Sequence, residues 1–227
     1  MRLAIVIVIG VVAAIMMWRF QRNHLRRVRH ERGAMFDDIV PLLDGPELEQ
    51  QGLDYPSLEG YYHGFRVRLR PLDDHLGYRK LPSLWLVATV QRELPVGGVF
   101  DFIVRPENLE YYSPSGRLPH AVTVPPGWPQ HAWLRTDHPD RMPSVERMAP
   151  YIAEFEDPRM KELVVSARGV RFVYQARQAD RRRYRILRST LFEDLRVEPG
   201  LVCHLLDRAI AIGDDLAGEA GHARLSA

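Results

Sequence analysis

The sequence contains a single cysteine, Cys203, and so cannot form a disulfide within the chain. One thiol also cannot build the paired-cysteine sites that hold structural zinc. Asp73, Asp74 and His75 stand together, but adjacent residues of a turn point in different directions and no second ligand cluster accompanies them. We therefore expect no metal site, and the sequence indicates no cofactor.

The familiar catalytic motifs are missing as well. The chain has no G-x-S-x-G turn, no phosphate-binding glycine loop, no H-E-x-x-H helix and no C-x-x-C pair. Ser113 and Ser115 lie near His120, but hydrolysis also needs an orienting acid and an oxyanion site, and the sequence identifies neither. These absences favour a protein without catalytic activity, although active sites also assemble from scattered residues.

Charge is absent from residues 3–18, which read LAIVIVIGVVAAIMMW. As a helix this run extends roughly 24 Å, a little less than the hydrocarbon core of a bilayer, which is about 30 Å thick. Arg2 at one end, with Trp18 and Phe20 at the other, can carry the span to both interfaces. Residues 1–20 are therefore predicted to form a transmembrane anchor.

A cleaved signal peptide is the alternative, but the only small residues near the end of the run, Ala13 and Ala14, are followed by bulky ones. A basic cluster comes next, and positive residues mark the cytoplasmic side of a span. The pattern predicts a single-pass protein of the cell inner membrane, with its N-terminus outside and its main domain cytoplasmic. The residues predicted at the membrane interface are Trp18, Arg19, Phe20, Arg22, Arg26 and Arg27.

Basic charge is concentrated beside the span. Residues 1–35 carry seven arginines against Glu31, a formal +6, whereas the whole chain carries +2, so the remainder carries −4. Such a cluster attracts anionic headgroups by about 1 kcal/mol per residue close to the surface, although the topology rule alone accounts for it. An acidic remainder without a nucleic-acid-binding motif disfavours nucleic acid as a partner.

Two segments flank the predicted folded domain. Residues 21–53 are predicted to be a basic juxtamembrane stalk, because Pro41 and Gly45-Pro46 interrupt any long helix there. This stalk is also a possible surface for a partner helix. The last residues, 218–227, are small and polar and are predicted to form a flexible tail.

An alternating pattern predicts strands in the first half of the domain. Residues 65–70 alternate between apolar side chains and arginines, a period of two that is typical of a half-exposed strand. Residues 84–90 are apolar on both faces, as in the interior of a sheet, and residues 99–104 predict a third strand. An antiparallel meander of these three strands is the simplest arrangement.

The second half predicts a strand at 132–135, a helix at 144–156 with Pro150 inside it, a hairpin at Arg168-Gly169, a strand at 184–192 and a helix at 199–216. Together the elements predict one α+β domain over residues 54–217. We expect a mixed or mostly antiparallel sheet covered by two or three helices.

Between residues 106 and 130 the chain is rich in proline, which predicts a long loop. Loops of this length inside compact domains are often functional. Tyr111, Tyr112 and Trp128 would give this one an aromatic binding surface. The alternative is that these aromatic side chains cover an exposed edge of the sheet.

Arginine supplies the strongest remaining signal. Arg66, Arg68 and Arg70 share one face of the predicted strand, and a second group lies near a later turn, at Arg181, Arg182 and Arg183. If these surfaces converge, they attract phosphates or acidic proteins. The alternative is a set of solvated charges that keep strand edges from pairing.

Two functions remain open from the sequence. The first is a membrane-anchored cytoplasmic interaction or assembly protein that docks an acidic protein partner or anionic lipid. The second is an enzyme or small-ligand sensor with a site beneath the 106–130 loop. The anchor, the arginine rows and the missing catalytic motifs favour the first, and the sequence specifies neither the partner nor the oligomeric state.

Overall fold

The computed structural model describes residues 2–74, 82–107, 110–178, 192 and 195–225. For residues 2–9 and 219–225 it describes the helical backbone without the side chains. Several predicted features lie outside the described residues, namely His75, the arginines at 181–183 and all of the 184–192 strand except Phe192.

The described residues form three α-helices and nine strands. The helices are α1 (Arg2–Gly33), α2 (Val145–Ile152) and α3 (Pro199–Leu225). The strands are β1 (Asp44–Glu49), β2 (Ser57–Tyr62), β3 (Phe65–Asp74), β4 (Ser83–Gln91), β5 (Phe100–Val104), β6 (His120–Val122), β7 (Ala132–Thr136), β8 (Met160–Ser166) and β9 (Gly169–Gln178). Short 3-10 helices lie at Ala34–Phe36, Val40–Leu42, Ser115–Arg117, Pro139–Arg141 and Ala153–Glu156.

All nine strands join one antiparallel sheet, in the order β1-β2-β3-β4-β9-β8-β5-β7-β6. The predicted α+β class and antiparallel pairing are thereby confirmed. The predicted meander is right for β3 and β4 but wrong for β5. The hairpin of β8 and β9 lies between β4 and β5, so the apolar run of β4 finds its second neighbour more than 70 residues along the chain.

A glycine allows the hairpin to reach β4. Gly169 begins β9 with a φ of +137°, and a Cβ at this position would overlap the carbonyl oxygen of Val90 in β4. Only glycine accepts both conditions. Because Gly169 already pairs with Ser166, the turn falls on Ala167-Arg168, one residue earlier than predicted.

One face of the sheet, which we call the helix face, carries the main core. On this face α3 packs across β4 and β9, and Leu205 and Ile212 of the helix are buried. The sheet contributes alternate residues, among them Val67, Leu86 and Phe172, none of which has exposed surface. This alternation confirms the predicted period of two in β3.

Part of the predicted stalk segment packs into the same core. Met35, Phe36 and Ile39 are completely buried, and the backbone N–H of Val197 donates to the carbonyl of Met35 at 3.1 Å. Strand β1, from the same segment, forms one edge of the sheet. Core residues therefore begin immediately after α1, without a loop between helix and domain.

Helix α2 corresponds to the helix predicted at 144–156. Ser144 precedes α2, and its hydroxyl accepts a hydrogen bond from the backbone N–H of Arg147 at 3.4 Å. Pro150 stays inside α2 rather than breaking it, and the change to a 3-10 helix follows at Ala153. The predicted helix is therefore confirmed with Pro150 inside it, but its last turn, from Ala153 to Glu156, is a 3-10 helix.

Helix α1 is continuous through the predicted anchor and the basic cluster. Within the part of the chain whose side chains are described, no helix has an apolar stretch long enough to cross a membrane. The predicted span begins at residue 3, and the side chains of residues 3–9 lie outside that part.

Candidate functional site

The face of the sheet opposite the helices, which we call the open face, carries the arginines predicted on β3. Arg66, Arg68 and Arg70 are exposed there, because their apolar neighbours in the strand are buried on the helix face. The pairing register places Thr89 of β4 and Arg171 of β9 on the same face. The open face therefore carries arginines on β3 and β9, with the uncharged Thr89 of β4 between them.

A groove of about 980 Å³ lies on this face, where β3, β4, β8 and β9 meet the turns that connect them. Four arginines line it, namely Arg66, Arg92, Arg168 and Arg171. Its lining also includes one carboxylate, Glu93, and the uncharged Thr89. Leu94, Val164 and Val170 lie at its base, but their side chains are buried.

Carboxylates neutralise much of this charge, since Asp214 of α3 pairs with Arg92 at 2.7 Å and Glu162 of β8 pairs with Arg171 at 2.9 Å. Glu59 accepts a hydrogen bond from Arg66 at 2.9 Å and also pairs with Arg68. Burial raises the pKa of Glu59, but the two arginines outweigh it and hold that pKa below its usual range. Arg66 and Arg68 nonetheless keep about half of their side chains exposed, 55% and 49%, and Arg168 makes no ion pair with any residue the structure describes.

Arg70 lies at a different groove. This second groove, about 460 Å³, is also lined by Arg32 from the end of α1 and by Tyr55. The guanidinium of Arg32 lies 4.6 Å from the centre of the Tyr55 ring, and burial raises the pKa of Tyr55 to about 12. Of the predicted arginine row, Arg66 thus lines the first groove and Arg70 the second.

The proline-rich loop crosses the open face as a strap, by which we mean residues 110–118. Tyr112 is partly buried against Trp85, with ring centres 6.2 Å apart, and packs on a small apolar cluster of Leu72, Trp85, Val87 and Val173. Tyr111 is half exposed, and its hydroxyl donates to a backbone carbonyl of β3. Trp128 instead packs on the helix face against two phenylalanines of β5. The three predicted aromatic residues therefore lie on two different faces.

Buried polar contacts hold the strap to the sheet. Lys161 of β8 pairs with Glu110 at 2.8 Å, and both side chains are almost fully buried. Arg135 of β7 donates to the carbonyls of Ser115 and Leu118, each at 3.1 Å. Such contacts are strong because the ion pair and the hydrogen bonds are largely shielded from water.

Two acidic residues lie beneath the strap. Asp101 of β5 and Glu162 of β8 have no exposed surface. Asp101 pairs with Val164 and Glu162 with Ile103, so the two carboxyl groups are diagonal neighbours on the open face. Arg171 donates to Glu162 at 2.9 Å, whereas neither oxygen of Asp101 has a hydrogen-bond partner among the described residues. We call these two residues the acid pair.

The sequence held a signal for the acid pair that its reading missed. Asp101 interrupts the otherwise apolar run 99–104, and Glu162 stands at the start of a strand that continues with Leu163, Val164 and Val165. A carboxylate at a strand position flanked by apolar residues is either exposed or has a specific buried environment. The alternation of residues along a strand does not tell an exposed carboxylate from a buried one here, because it is the strap that buries Asp101 and Glu162.

Large apolar side chains surround the outer part of α1 and are at least half exposed, namely Val11, Val12, Ile15, Met16, Met17, Trp18 and Phe20. At 100° per residue these side chains point to every side of the helix. The arginines predicted at the membrane interface follow them, at Arg19, Arg22, Arg26 and Arg27, and Arg22 lies 5.3 Å from the Trp18 ring centre.

In the described ranges, no group of three His, Cys, Asp or Glu side chains is placed to hold a metal ion. Comparisons with protein-family models, curated proteins and solved structures find no match for this chain. The function is therefore argued from the surfaces of the molecule itself.

Proposed function

We propose that this chain is a single-pass membrane protein whose cytoplasmic domain binds an acidic segment of a partner protein. The observation that carries the proposal is the groove on the open face, lined by Arg66, Arg92, Arg168 and Arg171. The anchor places this groove near the membrane, and the arginines select the charge of the partner.

The exposed apolar surface of α1 supports the membrane anchor. A helix that packs against one partner helix buries a single stripe, and its other sides are polar. Here the exposed apolar residues of α1, such as Ile15, Met17 and Phe20, face different sides. A bilayer covers all of them at once, and the arginines that follow favour a cytoplasmic domain.

The length of α1 favours a protein partner over the bilayer surface for the groove. The helix continues from Trp18 to Gly33, which places the domain about 22 Å beyond the end of the apolar run when the helix is upright. Charge effects decay over about 8 Å at physiological salt. Anionic headgroups therefore attract the arginines of α1 much more than those of the groove.

The chemistry of the groove fits carboxylates on an extended segment. Arginine binds a carboxylate with two parallel hydrogen bonds, and Arg168 and the half-exposed Arg66 offer this geometry. Charge complementarity of this kind contributes mainly to specificity and association rate.

An enzyme or sensor beneath the 106–130 loop remains a prediction. Polar groups do lie under the strap, but neither the groove at Arg66 nor the second groove at Arg70 is lined by residues of that loop. The docking surface has the stronger geometric support.

Affinity purification tests the docking surface with full-length protein in a mild detergent. The wild type is compared with the variant R66E/R168E, and the matched control is R117E. Arg117 is exposed, lies outside the groove and makes no ion pair with a described residue. We expect one protein to be retained in stoichiometric amount by the wild type and by R117E, and to be lost from R66E/R168E and at high salt.

Three results would contradict the proposal. A partner that R66E/R168E retains as well as the wild type does not use the groove. A stoichiometric anionic phospholipid that is lost with the same variant would make the groove a lipid site. A wild-type preparation that retains neither, and that also shows no salt-sensitive binding of a labelled polyglutamate peptide, would remove the docking function.

A further inference from the structure

The acid pair contains one negative charge more than its surroundings compensate. Asp101 and Glu162 are both fully buried, and the nearest cation, Arg171, donates to Glu162 at 2.9 Å. A buried carboxylate without a cation or hydrogen-bond donors is strongly disfavoured. One of the two carboxyl groups must therefore be neutral in the folded protein, or something else must supply the missing donor.

The other charged groups packed around the acid pair are already engaged. Lys161, on the same strand as Glu162, pairs with Glu110 of the strap and donates to the carbonyl of Arg105. Arg135 lies opposite Asp101 on β7, but its guanidinium donates to carbonyls of the strap. Tyr112, Ser113 and Ser115 of the strap are uncharged. Among the residues that the structure describes, no second cation reaches Asp101 from the elements packed on it.

One proton between the carboxyl groups of Asp101 and Glu162 would give hydrogen bonds to two of their buried oxygen atoms. Both oxygens of Asp101 and the Oε1 atom of Glu162 are buried and make no hydrogen bond of ordinary geometry to a described residue, although the hydroxyls of Ser115 and Ser113 are close enough to lower the pKa of Asp101 and of Glu162, respectively. A proton on the Asp101 carboxyl group can be donated to Glu162, because the two side chains are diagonal neighbours on adjacent strands. An O–H···O⁻ bond of this type is short and strong.

We propose that Asp101 and Glu162 share one proton beneath the strap, and that this proton keeps residues 110–118 closed over the open face. Loss of the proton to solvent leaves two buried negative charges with one arginine, and the strap must lift to hydrate them. Arg171 joins this event to the groove, because it lines the groove, donates to Glu162 and donates to the carbonyl of Tyr112 at 3.4 Å. This inference concerns the acid pair and does not depend on the identity of any partner.

The expected direction of the pH effect follows from the environment. Burial raises the pKa of Asp101 well above its usual range, and the charge of Glu162 raises it further, while Arg171 acts in the opposite sense. Burial also raises the pKa of Glu162, against the lowering effect of Arg171. The folded state therefore holds a proton that the unfolded chain releases above about pH 4. Its stabilising effect is complete below that pH and decreases as the pH rises.

Hydrogen exchange of the full-length protein in detergent tests whether the shared proton keeps the strap closed. Exchange of strap peptides is measured from pH 6 to pH 9 in the wild type and in D101N, which carries a neutral side chain of the same shape. The control is D140N, which removes an exposed carboxylate that makes no described contact. We expect strap protection to fall several-fold with rising pH in the wild type and in D140N, and to stay constant in D101N, relative to each peptide's intrinsic rate.

Infrared spectroscopy supplies a second measurement that needs only the wild type. A carboxylic acid band at neutral pH that disappears as the pH rises supports the shared proton. The proposal is overturned if no such band exists at neutral pH, or if D101N loses strap protection with pH as the wild type does. It is equally overturned if the carboxylic acid band disappears with rising pH while the strap stays protected from exchange, since the proton would then not hold the strap closed.

Discussion

The two faces of the nine-stranded sheet differ in how they are covered. The helix face is closed by α3, α2 and the segment after α1, and its core consists almost entirely of apolar side chains. The open face has only a small apolar cluster, which the strap covers, and otherwise carries arginines and the acid pair. Close packing on one face supplies stability, and this leaves the other face free to carry charged groups with specific roles.

The largest expected effect lies on the helix face. Phe172 is completely buried between the sheet and α3, and Phe172→Ala removes its packing and leaves a cavity. We expect a loss of about 3–5 kcal/mol in the free energy of unfolding, measured by urea denaturation. Val87→Ala in the small cluster of the open face is the comparison and should cost much less. Equal losses would show that the two faces contribute similarly to the core.

The next effect lies under the strap. Lys161→Met removes the cation that pairs with Glu110 and leaves a nearly buried carboxylate without it. Burial raises the pKa of Glu110, but Lys161 holds it below its usual range, so the variant should lose about 3 kcal/mol at neutral pH. The double variant K161M/E110Q removes both charges and should recover much of that loss. If it does not, the pair contributes through packing rather than charge.

The smallest effects concern two carboxyl groups whose pKa values are shifted in opposite directions, those of Asp157 and Asp101. Burial raises the pKa of Asp157, but hydrogen bonds from Arg159 and Tyr174 outweigh it and lower that pKa below its usual range. The stability that Asp157 contributes is present above about pH 4 and lost as the pH falls. Asp157→Asn should therefore cost less than about 1 kcal/mol at neutral pH, since the side chain is a third exposed.

Asp101→Asn should have the reverse pH dependence, with no loss at neutral pH and a relative gain as the pH rises. Thermal denaturation of both variants between pH 4 and pH 9 measures the two slopes. Slopes of the same sign would mean that Asp101 is ionised in the folded protein, contrary to the acid pair's proposed state.

Much of the sheet was predictable from local patterns. The alternation at 65–70 and the apolar run at 84–90 located β3 and β4, because side chains of a strand point to the two faces in turn. The order of the strands was not predictable in the same way. The position of the β8–β9 hairpin beside β4 depends on pairing between distant segments. The local residue that permits this position is Gly169.

The candidate site was also predictable only in part, where local patterns sufficed. The arginines on β3 were recognised from their spacing, since exposure on one face of a strand follows from a period of two. Arg171 and the acid pair were not recognised, because their roles arise from strands that meet only in the folded sheet. The burial of Asp101 further requires a strap that begins several residues after its own strand has ended.

The sequence by itself determined the strand and helix periodicity, the apolar run of α1 and the separation of its basic flank from an acidic domain, because these properties belong to neighbouring residues. Only the tertiary structure decided which strands pair, that Met35 and Phe36 enter the core, and that Asp101 and Glu162 share one buried site. Such decisions depend on burial and on electrostatic interactions between residues far apart in the chain, and no local pattern records them.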